Sequence, residues 1–356
     1  MINRRLIILI PCFHDGGVET WVKSIFKKNK NLNLILVIHG EITKDISFAK
    51  EIYNPKTNLE ILSLFKKLKL NKFDTVFSSL TPSNIRGLIF KSIFRYKHIV
   101  GVQVTLMRLE WESYFKYFMR KLIYKILFLF SDRIYVASSG LKKEITKRRN
   151  NKIKVFWNPI ITKDFLKEYK KPLNKRENII LAVGRLELQK DFEHLIRSIW
   201  NLSLISELDF KLIIVGNGTL ETNLKNLVQD LKINEKVEFL PFSEDIFDYY
   251  YKAKVFVLSS IYEGFGNVLA EALFSNCYCI SYDINHGPRD ILDDGKFGVL
   301  LKERDIKILS EEIEKGLLYE KPFYGSEKSL LQFGEEFTSE RYLEKLEKDI
   351  NEMVTN

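Results

Sequence analysis

Cysteine is scarce in this chain: three in 356 residues, too few and too unevenly placed for a disulfide framework or a zinc site. Cys277 and Cys279 stand two apart in an apolar run, on one face of an expected strand, and read as buried reduced thiols without chemistry. Long apolar runs are also missing. No uncharged window approaches the roughly 18 to 20 residues that a membrane-spanning helix needs. The opening Met1 to Pro11 imitates a signal peptide, but its apolar run stops at Pro11 with no small-residue cleavage site after it. It reads as a first buried strand, and the chain is expected to stay in the cytoplasm. No internal repeat or low-complexity tract is evident.

What is present is length, a skewed charge and a regular alternation. At 356 residues the chain exceeds the usual single-domain size, so two domains are expected. Residues 1–150 hold 28 Lys+Arg against 11 Asp+Glu, a net +17, while 151–356 hold 28 against 35, a net −7; the two sum to the overall +10. A basic first half fits an anionic partner, either phospholipid headgroups or a phosphorylated acceptor. Lysine enrichment from an AT-rich genome is the competing explanation. A nucleic-acid partner is not expected, because the lysines are scattered without a recognition motif.

Apolar strand-like runs alternate with helical patterns throughout, which predicts α/β architecture with parallel sheets covered on both faces. Expected strands in the first half are Leu6 to Ile10, Leu34 to Ile38, Thr75 to Ser78, Ile99 to Val102, Arg133 to Ala137 and Lys154 to Trp157. In the second half they are Ile179 to Val183, Lys211 to Val215, Val237 to Leu240, Val255 to Leu258 and Tyr278 to Tyr282. The polar, lysine-rich segment 163–176 with Pro172 reads as a linker. Domains are therefore placed at 1–172 and 173–335, with a charged amphipathic helix in 336–356 that packs on the surface or crosses back to the first domain.

The richest stretch runs from Glu263 to Leu273. It places two carboxylates eight positions apart across a glycine-containing turn between a strand and a helix. Gly264 and Gly266 permit close approach of a diphosphate to the unpaired amides of the helix start. Glu271 suits a vicinal diol such as ribose, and Glu263 the hydroxyls of a sugar. Taken alone, such a turn is more commonly just a turn. A second cluster follows Val183: Gly184, then Arg185 and Lys190, two cations past a strand's carboxyl end where open α/β sheets bind ligands. Asp191 reads as the N-cap of the next helix. Gly216-Asn217-Gly218 lacks the rest of a dinucleotide fingerprint and reads as a tight turn, with room for a supporting role in nucleotide contacts. Gly16 and Gly17 follow the first strand and would let backbone amides approach a ligand.

In order and approximate spacing, Gly16-Gly17-Val18-Glu19, Gly184-Arg185-Leu186 with Lys190, Gly216-Asn217-Gly218, and Glu263 with Glu271 resemble the retaining family 4 glycosyltransferases over nearly the whole chain. The resemblance implies the GT-B architecture, two doubly wound Rossmann-like domains facing a central cleft: an acceptor domain first and a nucleotide-sugar domain second. It implies that Arg185 and Lys190 bind the donor diphosphate, that Glu271 binds ribose, and that Glu263 stands near the donor sugar. Gly17 would belong to the loop closing on the diphosphate, and Gly266, Asn267 and Val268 to the helix start contacting phosphate. It implies no cofactor and no metal, in keeping with the absence of an Asp-x-Asp triplet; the two cations would take the metal's electrostatic part. Two departures stand out. Gly101-Val102-Gln103 has no histidine where many relatives carry one, leaving Gln103 as the candidate substitute. His286-Gly287-Pro288-Arg289-Asp290 replaces the usual Gly-Gly-x-x-Glu, as in some bacterial surface-polysaccharide enzymes, with His286 on the acceptor or sugar side.

The expected reaction moves a hexose or N-acetylhexosamine from a nucleotide sugar, taken as a UDP-sugar, to a lipid-linked bacterial surface glycan such as O-antigen, capsule or lipopolysaccharide. The alternatives are a UDP-N-acetylhexosamine 2-epimerase of the same architecture and a non-catalytic sugar-nucleotide binder. A helical wheel over Tyr114 to Phe130 gathers Phe115, Phe118, Met119, Leu122, Ile123, Ile126, Leu129 and Phe130 on a face expected to be core. The other face carries Lys116, Arg120, Lys121 and Lys125 with Tyr117, Tyr124 and Phe128, a pattern fitting peripheral attachment to the inner face of an anionic membrane.

Overall fold

The computed structural model describes residues 5–14, 17–103, 112–146, 150–168, 176–242, 246–319 and 327–355. The chain divides into two compact units, Met1–Thr162 with Glu336–Asn356, and Lys163–Glu335. The first division therefore falls at 162/163 rather than 172/173. Lys163–Glu168, read as the start of a linker, is a helix whose Phe165 packs on Phe247 of the second unit at 5.1 Å between ring centroids.

The first unit is built on seven strands: β1 (Arg5–Ile10), β2 (Asn33–Ile38), β3 (Ile52–Tyr53), β4 (Thr75–Ser79), β5 (Lys97–Val102), β6 (Arg133–Val136) and β7 (Ile153–Val155). They form one parallel sheet in the order β3-β2-β1-β4-β5-β6-β7. Side chains along β1 alternate between two cores, as a pleated strand buried on both faces requires. Leu6, Ile8 and Ile10 pack with Trp21, Val22 and Ile25. Ile7 and Leu9 pack with Ile61 and Phe65 on the other side.

The terminal helix Ser339–Thr355 belongs to this unit and adds Tyr342, Leu346 and Ile350 to the first core. Its buried Asp349 accepts from the Tyr135 hydroxyl at 2.6 Å and from Arg133 Nε at 3.2 Å, and pairs with Lys154. A buried carboxylate with three donors keeps its desolvation cost matched and fixes the helix register on the sheet.

The second unit has six parallel strands, β8 (Glu177–Val183), β9 (Lys211–Val215), β10 (Val237–Leu240), β11 (Ala253–Leu258), β12 (Tyr278–Tyr282) and β13 (Val299–Leu301). Their order is β10-β9-β8-β11-β12-β13. In each sheet the order reverses once, between β1 and β4 and between β8 and β11. Connections leave these neighbouring strands in opposite directions and open a crevice at their carboxyl ends.

Among the described residues no helix is long and apolar enough to cross a membrane. The helix Tyr114–Phe130 corrects the helical-wheel expectation. Tyr124 and Leu127 are its buried residues, whereas Phe115, Phe118, Met119, Leu122, Ile126 and Leu129 are exposed. Large apolar residues are spread around the helix, with Lys116, Arg120, Lys121 and Lys125 among them, so the apolar pattern alone does not choose the inward face. A polar anchor does: the Tyr124 hydroxyl shares a hydrogen bond with Thr81 at 3.1 Å, placing that side inward.

Candidate active site

The switch point of the second unit is shaped by glycines that let backbone segments touch. Gly184, after β8, has φ +156°, and a Cβ there would stand 2.8 Å from Lys190 Cε; its absence lets Lys190 fold back over the strand end. The Leu188–Lys190 turn leads to Asp191, at φ 48°, whose carboxylate caps the helix Phe192–Ile205 by accepting from the His194 amide. Aspartate is among the few residues that enter this left-handed region at modest cost. Gly216 is held by a different contact. A Cβ there would lie 1.9 Å from the Gly184 carbonyl oxygen, so the close passage of the β8 and β9 ends accounts for this glycine without a ligand.

After β11 the chain passes through buried Ser259 and Ser260 to Glu263 and then to Gly266 at φ +96°, which starts the helix Asn267–Phe274. Asn267 and Val268 are the first residues of that helix, where amides lack a carbonyl one turn earlier. Glu263, only 7% exposed, accepts from Lys190 Nζ at 2.5 Å and from Ser260 Oγ at 2.7 Å on the same oxygen. Charge-assisted bonds of this length hold the carboxylate in one orientation. The two backbones are laced as well: Ser259 Oγ donates to the Lys190 carbonyl at 2.6 Å, and the Ile261 amide to the Gln189 carbonyl at 2.9 Å.

Gln189 extends the site to its exposed rim. Its Nε2 donates to the Tyr262 carbonyl at 2.9 Å, while its Oε1 accepts from Arg185 Nη2 at 3.2 Å. Glu271 lies further along the helix and accepts from the Tyr250 hydroxyl at 2.9 Å. Burial raises its pKa, opposed by the Tyr250 hydrogen bond and the charge of Lys190. Lys190, Glu263 and Glu271 therefore share one electrostatic environment, with Arg185 at its edge. His286 is buried beside this loop. The next residue, Gly287 at φ +92°, passes so close that a Cβ would sit 1.7 Å from the Phe265 carbonyl oxygen.

The remaining sequence candidates belong to the first unit. Gly17 opens the helix Gly17–Lys28 after β1, Gln103 is half-buried just past β5, and Gly16 lies outside the described residues. Sequence reasoning missed Ser260, Gln189 and Tyr250. Ser260 stands three residues before Glu263 and local spacing could have found it. Tyr250 is 21 residues from Glu271 and nothing local marks it.

Residues 165–329 match the family model described as "Glycosyl transferases group 1". The chain is 28% identical over 318 residues to the N-acetylgalactosamine-N,N'-diacetylbacillosaminyl-diphospho-undecaprenol 4-alpha-N-acetylgalactosaminyltransferase of Campylobacter jejuni, covering 84% of this chain and 86% of that protein. It is 24% identical to the amylovoran biosynthesis glycosyltransferase of Erwinia amylovora, covering 87% and 92%. Among solved structures, Anabaena HepE in complex with UDP superposes with a TM-score of 0.79 at 15% identity, covering 98% of this chain and all of that one. The lipopolysaccharide outer core galactosyltransferase WaaB does so with 0.72 at 19% identity, covering 98% and 99%. The chain thus has the GT-B fold of two parallel-sheet α/β units and carries a group 1 glycosyl transferase domain in the second.

Proposed function

We propose that this protein is a retaining, metal-independent glycosyltransferase that moves a hexose or N-acetylhexosamine from a UDP-sugar to a lipid-diphosphate-linked glycan during assembly of a bacterial surface polysaccharide. The observation that carries the reading is the Lys190–Glu263 pair at the β8/β11 switch point, with Glu271 in its field and Arg185 at its rim. Lys190 and Arg185 stabilise the charge that grows on the departing diphosphate, the part a divalent cation plays in other phosphate chemistry. Glu271 takes the ribose hydroxyls, and Glu263, already oriented by Lys190 and Ser260, faces the transferred sugar. The acceptor hydroxyl bonds to the anomeric carbon on the face the diphosphate leaves, and its proton passes to the diphosphate oxygen. Support for the donor comes from HepE, solved with UDP, and for the acceptor from the Campylobacter relative, named for a diphospho-undecaprenol substrate.

The acceptor's lipid would hold the enzyme's work at a membrane, and the helix Tyr114–Phe130 is the part suited to meet it. Its exposed Phe115, Phe118, Leu122 and Leu129 lie among the exposed Lys116, Lys121 and Lys125, a pattern that favours anionic lipid headgroups.

The donor site is tested by Lys190→Ala and Glu271→Ala. Lys190→Ala is expected to lower kcat/KM by about a hundred- to a thousandfold. Glu271→Ala should raise the donor KM by about ten- to a hundredfold, with the circular dichroism of both variants unchanged. Release of UDP that strictly requires acceptor separates transfer from epimerisation. Wild-type turnover in either variant, or donor consumption without acceptor product, would overturn the reading.

A further inference from the structure

One cation beside this site has no part in the proposed chemistry. Arg304 follows β13, and its guanidinium donates through Nη2 to Asp191 Oδ2 at 2.6 Å and to the Ser259 carbonyl at 2.8 Å, and through Nη1 to the Ser260 carbonyl at 3.1 Å. Its carbon lies 4.2 Å from the centroid of the Tyr282 ring. The Tyr282 hydroxyl meets His194 Nε2 at 2.7 Å, and the His194 amide is the one that Asp191 caps. The circuit closes on itself.

The acceptors share a location. Asp191 is the residue after Lys190, and Ser259 and Ser260 begin the loop that carries Glu263, with the Ser260 hydroxyl on the Glu263 carboxylate. An exposed Arg–Asp pair is ordinarily worth little, about 0–1 kcal/mol. Here two of the three acceptors are main-chain carbonyls, and the Tyr282 ring lies against the guanidinium as a further contact. A planar guanidinium reaches these three acceptors from two fixed nitrogens; an ammonium offers its three donors from a single nitrogen on a flexible stem and matches the arrangement less well.

We propose that Arg304 is a positioning residue that fastens the Lys190 turn to the Ser259–Glu263 loop, holding Lys190 and Glu263 in register and thereby setting affinity for the donor's diphosphate. The proposal rests on the donor-site reading above. It adds a device that reading does not need.

The test uses the full chain with Arg304→Met, which keeps an apolar stem against Tyr282 but removes every donor. Arg304→Lys serves as the conservative variant. Arg197→Met, on an exposed helix pair with Glu193, serves as the control. Three quantities are measured: UDP affinity by calorimetry, the split between donor KM and kcat, and amide exchange in residues 187–191 and 259–263. Arg304→Met should weaken UDP binding and raise donor KM about tenfold, with faster exchange confined to those two segments and little change in Tm. Arg304→Lys should restore part of both, and Arg197→Met should change neither. Wild-type UDP affinity with unchanged exchange would overturn the proposal. Exchange accelerated across the whole unit would do so as well, since it would make Arg304 a general stabiliser. Lys190→Ala separates the two failures. If it abolishes UDP binding while Arg304→Met does not, only the positioning role falls. If Lys190→Ala binds UDP normally, the donor site itself falls, and exchange in the two segments still decides whether Arg304 fastens them.

Discussion

The two units share a topology and differ in what they do with polar groups near their switch points. The second unit keeps charge at its strand ends: Lys190 on Glu263, Arg185 at the rim, Arg304 across two loops. The first unit buries a neutral chain instead. His39 bonds Ser83 at 2.9 Å; Ser78 bonds His98 at 2.8 Å and donates to Asn84, whose amide donates to the Gly101 carbonyl. Burial holds the His39 pKa down to about 4 and that of His98 to about 3. The unit's net positive charge and its apolar helix face are on its outside. The same crevice-forming topology therefore carries a cluster of paired ions near one switch point and a buried, neutral hydrogen-bonded cluster near the other.

The largest expected break in this contrast comes from Gly216→Ala. Its Cβ would meet the Gly184 carbonyl at 1.9 Å, backbone against backbone, so the β8 and β9 ends must part. A cost of about 3 kcal/mol or more to the second unit is expected, with loss of UDP binding because Gly184 underlies Lys190. Gly266→Ala meets nothing closer than 3.5 Å and should cost only about 1–2 kcal/mol, the price of its left-handed backbone. Amide exchange resolved by unit would check both. Equal effects in the two variants would show that the close passage does not govern the site.

A smaller effect, acid sensitivity, sharpens the first unit's side of the contrast. Burial is the largest influence on His98, with Lys91 and Asp132 acting in opposite directions, and it puts the folded pKa below the unfolded value of 6.5. Between those values the unfolded chain binds a proton that the folded chain refuses. The stability linked to His98 is therefore complete above about pH 6.5 and is lost as pH falls, by about 1.4 kcal/mol per pH unit. Urea unfolding of the wild type and of His98→Gln at pH 7.5 and 5.5 should show a pH dependence smaller by about 1.4 kcal/mol in the variant. An identical dependence would mean that His98 is not held neutral.

Much of this was legible in the sequence because burial on both faces leaves an unmistakable mark. Leu6 to Ile10 and Val255 to Leu258 read as strands from their apolar character, and both are. β3 and β13, two and three residues long, left too little pattern to be read, and β7, equally short, was read only approximately, as Lys154 to Trp157. Glycines before helices marked the strand ends of the second unit where Lys190 and Glu263 meet. They did not reveal which contacts they serve: Gly216, read as part of a tight turn with room for a supporting role in nucleotide contacts, is required by another stretch of main chain. The Lys190–Glu263 contact joins residues 73 apart, and Arg304 reaches Asp191 across 113; no local spacing encodes either. The helix Tyr114–Phe130 was legible as a helix but not in its orientation, because one hydroxyl rather than its apolar pattern fixes the inward side.

That orientation gives the smallest expected change in stability. If Phe118 and Leu122 stand outside the first unit's core, replacing both with serine should alter its unfolding free energy by no more than about 0.5 kcal/mol each. Tyr124→Phe, losing the bond to Thr81, should cost about 1 kcal/mol. Binding to vesicles containing anionic lipid should follow the opposite order: much reduced in Phe118→Ser/Leu122→Ser, weakened by charge reversal at Lys116, Lys121 and Lys125 in a salt-dependent way, and unchanged in Tyr124→Phe. The pairing of the two measurements matters more than either alone. A large loss of stability in the double serine variant would put this face back into the core, and wild-type vesicle binding would remove the membrane as its partner. In the expected result, the first unit keeps its neutral polar groups inside and presents its apolar and basic groups to a lipid surface, while the second reserves its ions for a soluble, charged donor.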